Sequence, residues 1–515
     1  MKVMNPIELS LFSSRIDAIC EEMGAVLRRS ALSPNIRDRL DFSCALFDAS
    51  GELCAQAAHI PVHLGSMAYA MRDLVERIEW QHGDMVILND PFLGGTHLPD
   101  VTLIAPLFLD GELIAFVANR AHHADIGAST PGSMPISSHL DEEGIVIPPS
   151  NLFRRCELDR SLMDEITIQT RNPRDSEGDL TAQISANRAG LQRLERLVES
   201  LGSSAFSSAL VELNDYAQRL VEQVLVELPD GTYRFSDVMD DDGQDNFDLK
   251  IAVTLQVAGS HVHLNFSDSA AQVEGNINCP LSVAAAAVYY AFRCLMPPQT
   301  PACAGAFRAI TLEAPEGSLL NARRPAAVAA GNVETSTRVV DVVLGALALA
   351  IPDRIPAASH GTMNNLAMGS DSPGAAWDYY ETIGGGMGAG RNGGGLSGVQ
   401  THMTNTLNTP IEVLEMRYPL QVTRHGLREN SAGSGLRPGG EGLVREYRFL
   451  APASATLLTE RRRHRPWGIA GGDDGAVGEN RLNGEALPSK VTVEVKAGDL
   501  LEIKTPGGGG YGGPS

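Results

Sequence analysis

Asn89-Asp90-Pro91-Phe92-Leu93-Gly94-Gly95-Thr96-His97-Leu98-Pro99-Asp100 leads into two apolar runs, Val101 to Leu109 and Glu112 to Ala118, split by Asp110-Gly111. The second run closes on Asn119-Arg120-Ala121-His122-His123-Ala124-Asp125. An Asp-Gly pair between β-prone runs predicts a hairpin, because a tight turn of this kind needs positive φ at its central residues. The register of a two-residue turn puts Asp100 opposite Ala121 and His122 opposite Pro99, so His97, Asp100 and His122 converge at the hairpin's open end. Two imidazoles and one carboxylate leave coordination positions vacant, which suits Mn, Zn or Fe(II) in a site that also binds water or substrate. The plainer alternative is that these side chains satisfy loop backbones or bury neutral rings beside carbonyls. His59 and His63, in His59-Ile60-Pro61-Val62-His63-Leu64-Gly65, either line the same cleft or cap a strand end.

Outward from this hairpin, a second one is predicted where Phe42 to Phe47 and Glu52 to Ala57 flank Asp48-Ala49-Ser50-Gly51. Ahead of it, Asn5, Pro6 and Glu8 occupy N-cap, N1 and N3 positions, and Leu9, Phe12, Ile16, Ile19, Met23 and Leu27 follow at helical spacing. Apolar periodicity from Gly178 to Leu228 predicts two long helices broken near Gly202. Strand-like runs follow at Thr232 to Phe235, Leu249 to Val257 and His261 to Phe266, then apolar helices near Leu281 to Leu295 and Thr335 to Ala350. Beyond Glu441, strand-like runs alternate with glycine-rich turns. The expected fold is therefore a multi-domain α+β chain with a long helical segment and a C-terminal β-rich region. Its expected parts are an N-terminal α+β region with the metal site (1–175), a helical arm (176–230), a central mixed region with a Gly-rich loop (231–440) and a C-terminal β-rich region (441–515).

At 515 residues the chain is too long for one core, and 43% apolar with 20% charged residues is a folding, not a disordered, composition. A net charge of −22 repels phosphate backbones and anionic bilayers, which argues against nucleic acid and membrane partners. Glu8, Arg15, Asp17, Glu21 and Glu22 would interrupt a secretory h-region, and the longest apolar stretch, Leu281 to Phe292, is shorter than a membrane span. A cytoplasmic protein is the expectation. The seven cysteines are scattered and never in a CxxC pair, so they read as reduced and mostly buried.

Three further stretches carry unusual residues. Glu381 to Gly390, continuing through Gly393-Gly394-Gly395 to Thr406, is dense enough in glycine to approach an anion or merely to pack closely. In Gly331-Asn332-Val333-Glu334-Thr335-Ser336-Thr337-Arg338 the expected role of Thr335 or Ser336 is to cap the next helix. Thr505 to Gly512 reads as a flexible tail anchored by Tyr511. No lysine follows a glycine, so there is no P-loop, and no GxGxxG lies between a predicted strand and helix.

Taken together, these motifs resemble the hydantoinase B and oxoprolinase family, whose relatives include the B-type subunits of N-methylhydantoinase and 5-oxoprolinase and the metal-bearing subunits of acetone and acetophenone carboxylases. The resemblance spans nearly the whole chain, through His59 to Met67, Asn89 to Asp100, His122 to Gly127, Pro131 to Pro135, Glu177 to Leu180, Gly331 to Arg338, Gly384 to Glu415 and Thr505 to Gly512. It implies a catalytic B-type subunit of an ATP-dependent hydrolase of cyclic amides such as a hydantoin or 5-oxoproline. A hydantoinase A-type partner would use ATP to phosphorylate a carbonyl oxygen, in a hetero-oligomer, which suits a chain without a P-loop. Acetone carboxylase carries Mn through a His-x-x-Asp and a later His, and that pattern falls here on His97, Asp100 and His122. His123 or Asp125 would then be the general base or orient a ligand, with His59 and His63 near the substrate. The alternatives are a metal-bearing subunit of an ATP-dependent ketone carboxylase, acting on a ketone-derived substrate, and a non-catalytic structural metal-binding subunit.

Overall fold

The computed structural model describes residues 4–57, 60–372 and 376–513; His59 lies outside them. Asn5 caps the first helix, Pro6–Ser30, in a complete capping box with Glu8, as its sequence predicts. The two hairpins then join one antiparallel sheet of seven strands in the order 53–57, 42–48, 112–122, 100–109, 85–88, 150–154, 157–158. Side chains alternate between its faces. Cys44, Leu46, Val101, Leu103 and Val117 pack with Phe12, Ile16, Leu180 and Ile184 of the helices Pro6–Ser30 and Pro173–Leu201. Ala45, Phe47, Ile104 and Phe116 pack with Met67, Met71 and Leu74 of the helix Pro61–Arg77. With both faces covered, the strands read as continuous apolar runs rather than as an alternation.

Gly202, at φ 85°, breaks the long helical segment into Pro173–Leu201 and Ser203–Val226. The second sheet orders 310–313, 261–265, 247–258 and 231–241, and packs with the helices Leu281–Arg293 and Ser336–Ala350 in the largest core. Strands 453–458 and 490–495 pair into a sheet with 365–370 and 377–381, while 442–449, 479–482, 485–487 and 500–504 join 420–428. These two sheets share one core, built around Leu366, Tyr379, Leu420, Tyr447, Leu457 and Ile503.

Two expectations need correction. Thr335 and Ser336 do not cap the helix with their side chains; the chain enters it through a π-helical turn, Gly331–Thr335, and the two hydroxyls donate to the carbonyls of Ile277 and Asn332. Nor is Thr505 to Gly512 a flexible tail. It is buried apart from a half-buried Gly512, and it threads between the other glycine-rich segments through backbone hydrogen bonds such as Gly508 N to Gly440 O and Gly509 N to Ala358 O. Glycine is required here because a Cβ on Gly508 would lie 2.1 Å from the carbonyl oxygen of Met387, and one on Gly440 would lie 1.9 Å from that of Leu396. Within the Gly384 to Gly395 stretch, Gly386, Gly388 and Gly395 likewise meet a carbonyl oxygen within 2.0 Å of an added Cβ, whereas Gly390 and Gly393 do not.

A buried ionic network ties the helix Ser336–Ala350 to the later strands. Arg461 reaches Asp237 at 2.7 Å and Asp341 at 2.6 Å, and Arg338 reaches Asp341 at 3.0 Å. Burial opposes the charge on Asp237, but Arg461 and Arg338 outweigh it and bring its carboxyl down to about 2.

Two outcomes follow from this packing. Gly508→Ala should destabilise the fold by about 1–3 kcal/mol in denaturant melts. Gly426→Ala, with nothing within 4 Å of its added Cβ, should change it far less. Because the folded pKa of Asp237 lies below its unfolded value, its stabilisation is present above about pH 5 and fades as pH falls towards 2. Asp237→Asn should accordingly cost about 2 kcal/mol at pH 7 and flatten the loss of stability across that acid window, read from urea midpoints at each pH.

Candidate metal centre

The hairpin ends where the loop from Asn89 begins to fold back on itself. Asn89 donates to the carbonyls of Leu98 and Ile145 and accepts from Ile147 N, so one buried amide holds both ends of the loop. Asp90 accepts from Phe92 N, and Gly95 lies so close to Asn89 that a Cβ would sit 2.2 Å from its carbonyl oxygen. This tight path delivers His97 to the start of the strand Asp100–Leu109.

Across the hairpin, Asp100 pairs directly with His122, not with Ala121 as the two-residue turn predicts. A β-bulge is the reason: the register shifts between Leu107 and Phe108, inserting one extra residue on the Glu112–His122 strand. Direct partners share a face of the sheet, so the bulge aims the Asp100 and His122 side chains at the same point. His123, one residue on, takes the other direction.

The resulting cluster is sealed, with His97 and Asp100 fully buried and His122 nearly so. Asp100 Oδ1 lies 3.2 Å from His97 Nε2 and 3.3 Å from His122 Nδ1. Among the described residues, Asp100 Oδ1, His97 Nε2 and His122 Nε2 have no hydrogen-bond partner. Metal–ligand bonds of ~2.0–2.2 Å at angles of about 90–110° put neighbouring ligand atoms roughly 3.0–3.5 Å apart, the spacing that Asp100 Oδ1 keeps from His97 Nε2 and from His122 Nδ1. His97, Asp100 and His122 form the one such group among the described residues.

Each of the three is also oriented from behind. His97 Nδ1 lies 3.1 Å from the carbonyl oxygen of Ala329, which assigns the proton to Nδ1 and leaves Nε2 as a lone-pair donor. Asp100 Oδ2 accepts from Thr96 Oγ1 at 2.6 Å and from Asn332 Nδ2 at 3.2 Å, turning the other oxygen towards the imidazoles. Tyr380 stacks on the His122 ring, centroids 4.6 Å apart and planes 16° apart. The donor set and its supports thus fit a divalent ion held by His97, Asp100 and His122. Burial penalises the Asp100 carboxylate, yet the imidazoles of His97 and His63 and the hydrogen bonds outweigh it and keep the group well below the usual carboxylate range.

His63 belongs to this cluster as well. From the first turn of the helix Pro61–Arg77, its Nε2 reaches Asp100 Oδ2 at 3.3 Å, and its Nδ1 lies 3.4 Å from Ser43 Oγ. His123 and Asp125 are not brought into it. His123 Nε2 is 2.9 Å from Gln183 Oε1 of the long helix, and Asp125 accepts from Ser133 Oγ and Gly127 N while pairing with Arg171 at 3.2 Å. Glu143, Asn332, Ala329 and Tyr380 were not singled out from the sequence. Asn332 stands in the quoted Gly331 to Arg338 motif, but neither Tyr380 nor a backbone carbonyl such as that of Ala329 carries any local signal.

A hollow of about 660 Å³ is lined by Pro91, Phe92, Leu93 and Gly94 of the same loop, together with Ser282 and Arg324. Ser282 Oγ donates to Gly95 O at 3.3 Å, so the wall of this hollow abuts the residues that lead to His97.

The Hydantoinase B/oxoprolinase family model matches residues 5–514. The chain is 41% identical to 5-oxoprolinase 1 of Arabidopsis thaliana over 99% of its own length, which is 42% of that protein. It is 33% identical to the B-type subunit of a putative D-/L-hydantoinase of Pseudomonas sp., covering 100% of this chain and 91% of that one. An ATP-dependent caprolactamase from Pseudomonas jessenii superposes with a TM-score of 0.93 at 27% identity, over 100% of this chain and 92% of that one. Among the described residues, no helix is long and apolar enough to cross a membrane. A family match over residues 5–514, with a relative 33% identical over 91% of its own length, places this chain in the hydantoinase B/oxoprolinase family.

Proposed function

We propose that this chain is the catalytic B-type subunit of an ATP-dependent cyclic amide hydrolase of the hydantoin or 5-oxoproline type, working with an A-type partner that spends the ATP. The observation that carries the reading is the buried set of His97, Asp100 and His122, whose ligand atoms lie within 4.8 Å of one another. The sequence has no P-loop of its own, and one relative is named as the B-type subunit of a hydantoinase. The matched region accounts for 42% of the Arabidopsis 5-oxoprolinase, and the larger part of that protein lies outside the match.

The chemistry follows from the weakness of an amide carbonyl as an electrophile. Phosphorylation of its oxygen by the partner converts the lactam to a phosphorylated imidate; water adds to the imidate carbon, the C–N bond breaks as the nitrogen takes a proton, and a second water hydrolyses the resulting acyl phosphate to carboxylate and phosphate. A divalent ion, when bound, supplies a water of lowered pKa at neutral pH and positive charge for a developing oxyanion. The chain's own residues do the rest. Asp100, held by Thr96 and Asn332, keeps one oxygen turned inward, while His97 is fixed as the Nδ1–H tautomer by Ala329. His63, whose Nε2 lies 3.3 Å from Asp100 Oδ2, helps hold that carboxylate in place. His123 and Asp125 act further out, His123 by holding Gln183 and Asp125 by holding Arg171 and the 127–133 loop.

Two measurements test this reading. Elemental analysis of the purified chain should find close to one divalent ion per chain, lost in His97→Ala and in His122→Ala but kept in His123→Ala; a folded wild type without metal would refute the centre. The chain mixed with its A-type partner, ATP and a panel of lactams should release ring-opened product and phosphate together, and Asp100→Asn should lower that rate at least ~100-fold with the complex intact. Turnover without ATP or partner would refute the two-subunit reading. Incorporation of labelled bicarbonate would assign the carboxylase chemistry instead.

A further inference from the structure

Among the described residues, His122 Nδ1 faces Asp100 Oδ1, Nε2 has no hydrogen-bond partner, and no carbonyl fixes the ring as Ala329 fixes His97. What it has is Tyr380, from the strand Trp377–Glu381, packed flat against it at 4.6 Å. We infer that Tyr380 is the positioning residue of the centre, setting the plane of the His122 imidazole, and that Glu334 acts through Asn365 to hold Tyr380 in place. The inference rests on the metal-centre reading above and adds residues to it.

The anchoring is continuous and entirely buried. Tyr380 Oη donates to Asn365 Oδ1 at 2.7 Å. Asn365 Nδ2 in turn donates to Glu334 Oε1 at 2.6 Å and to the Leu458 carbonyl at 2.8 Å. The same Glu334 oxygen accepts from Met363 N at 2.9 Å. With the hydroxyl pinned and the ring wedged on His122, Tyr380 loses its remaining torsional freedom. Arg39 locks the other side of the arrangement. Its guanidinium lies over the Tyr380 ring at 5.0 Å and donates to the Tyr380 carbonyl at 2.8 Å, and it pairs at 3.7 Å with Asp41, whose carbonyl accepts from His122 N. Arg39, Tyr380, Asn365, Glu334 and His122 are each at most 3% exposed. Glu334 sits on the π-helical turn that also sends Asn332 to Asp100, so one irregular turn supports two of the three candidate ligands.

A stacked ring fixes the plane of the His122 imidazole while its Nδ1 faces Asp100 Oδ1. That differs from the carbonyl support of His97 and leaves His122 Nε2 without a hydrogen-bond partner. Burial also pushes the Tyr380 phenol well above its usual range, which keeps its hydroxyl a donor to Asn365.

The test uses the full chain stripped of metal and titrated with Co²⁺, reading affinity by chelator competition and site geometry from the visible absorption of the bound ion. Tyr380→Leu should weaken Co²⁺ binding ~10- to 100-fold and change the spectrum, the range expected when an orienting partner of a ligand is lost. Tyr380→Phe, which keeps the ring, and Glu334→Leu, which unpins it, should each weaken binding by roughly threefold to tenfold. Glu334→Gln, whose carbonyl oxygen accepts the same two hydrogen bonds, should restore wild-type affinity within about twofold. If Tyr380→Leu does not fold, the Tyr380→Phe and Glu334 pair still decide the matter. Folded variants with wild-type affinity and spectrum would overturn the positioning role while leaving the metal centre standing. A wild type that binds no Co²⁺ would overturn the metal reading and this inference with it.

Discussion

A carboxylate with no exposed surface must be neutralised where it stands, and Asp100 sets the terms for everything around it. Left unpaired, such a charge would cost about 3–5 kcal/mol or more. Here three imidazoles, one hydroxyl and one amide converge on it, from His63, His97, His122, Thr96 and Asn332. They come from a helix, a loop, a strand end and a π-helical turn, so satisfying one buried anion forces four separate pieces of chain into register. The division of labour between its two oxygens follows from the same geometry. Oδ2 takes the hydrogen bonds, and Oδ1 is left facing His97 and His122.

Glu143 repeats the logic one step further out. Its Oε1 accepts from Val328 N, Ala329 N and Ser137 Oγ, which holds in place the Ala329 carbonyl that in turn orients His97. Burial raises its carboxyl to about 7, so the group holds a proton well above the ordinary acid range. Behind the centre, the glycine-rich segments supply rigidity of a different kind. Gly386, Gly440 and Gly508 meet backbone to backbone, and the absence of side chains lets three distant stretches share hydrogen bonds at contact distance. Strand Trp377–Glu381, which carries Tyr380, leads straight into that layer.

Much of the local structure could be read before any coordinates. The capping box at Asn5 and Glu8, the helix break at Gly202, both hairpins and the convergence of His97, Asp100 and His122 each rest on short-range signals, turn chemistry or 3.6-residue spacing, that act within a few residues. The β-bulge at Leu107 escaped, because nothing in an apolar run marks where one residue is skipped. The rigid C-terminal segment escaped too. Thr505 to Gly512 has the composition of a flexible tail, and only its neighbours make it a packed strut.

What the sequence by itself determined is the chemistry available: a family, a hairpin, and two histidines and an aspartate brought to one end of it. What tertiary structure alone decided is how those groups are aimed. A one-residue bulge put Asp100 opposite His122, and strand alternation turned His123 away to Gln183. His63, Ala329, Asn332 and Tyr380 arrived from positions separated by tens to hundreds of residues. Orientation within a buried site depends on which distant surfaces fill the space around it, and that information belongs to the packing of the whole chain, not to any stretch of it.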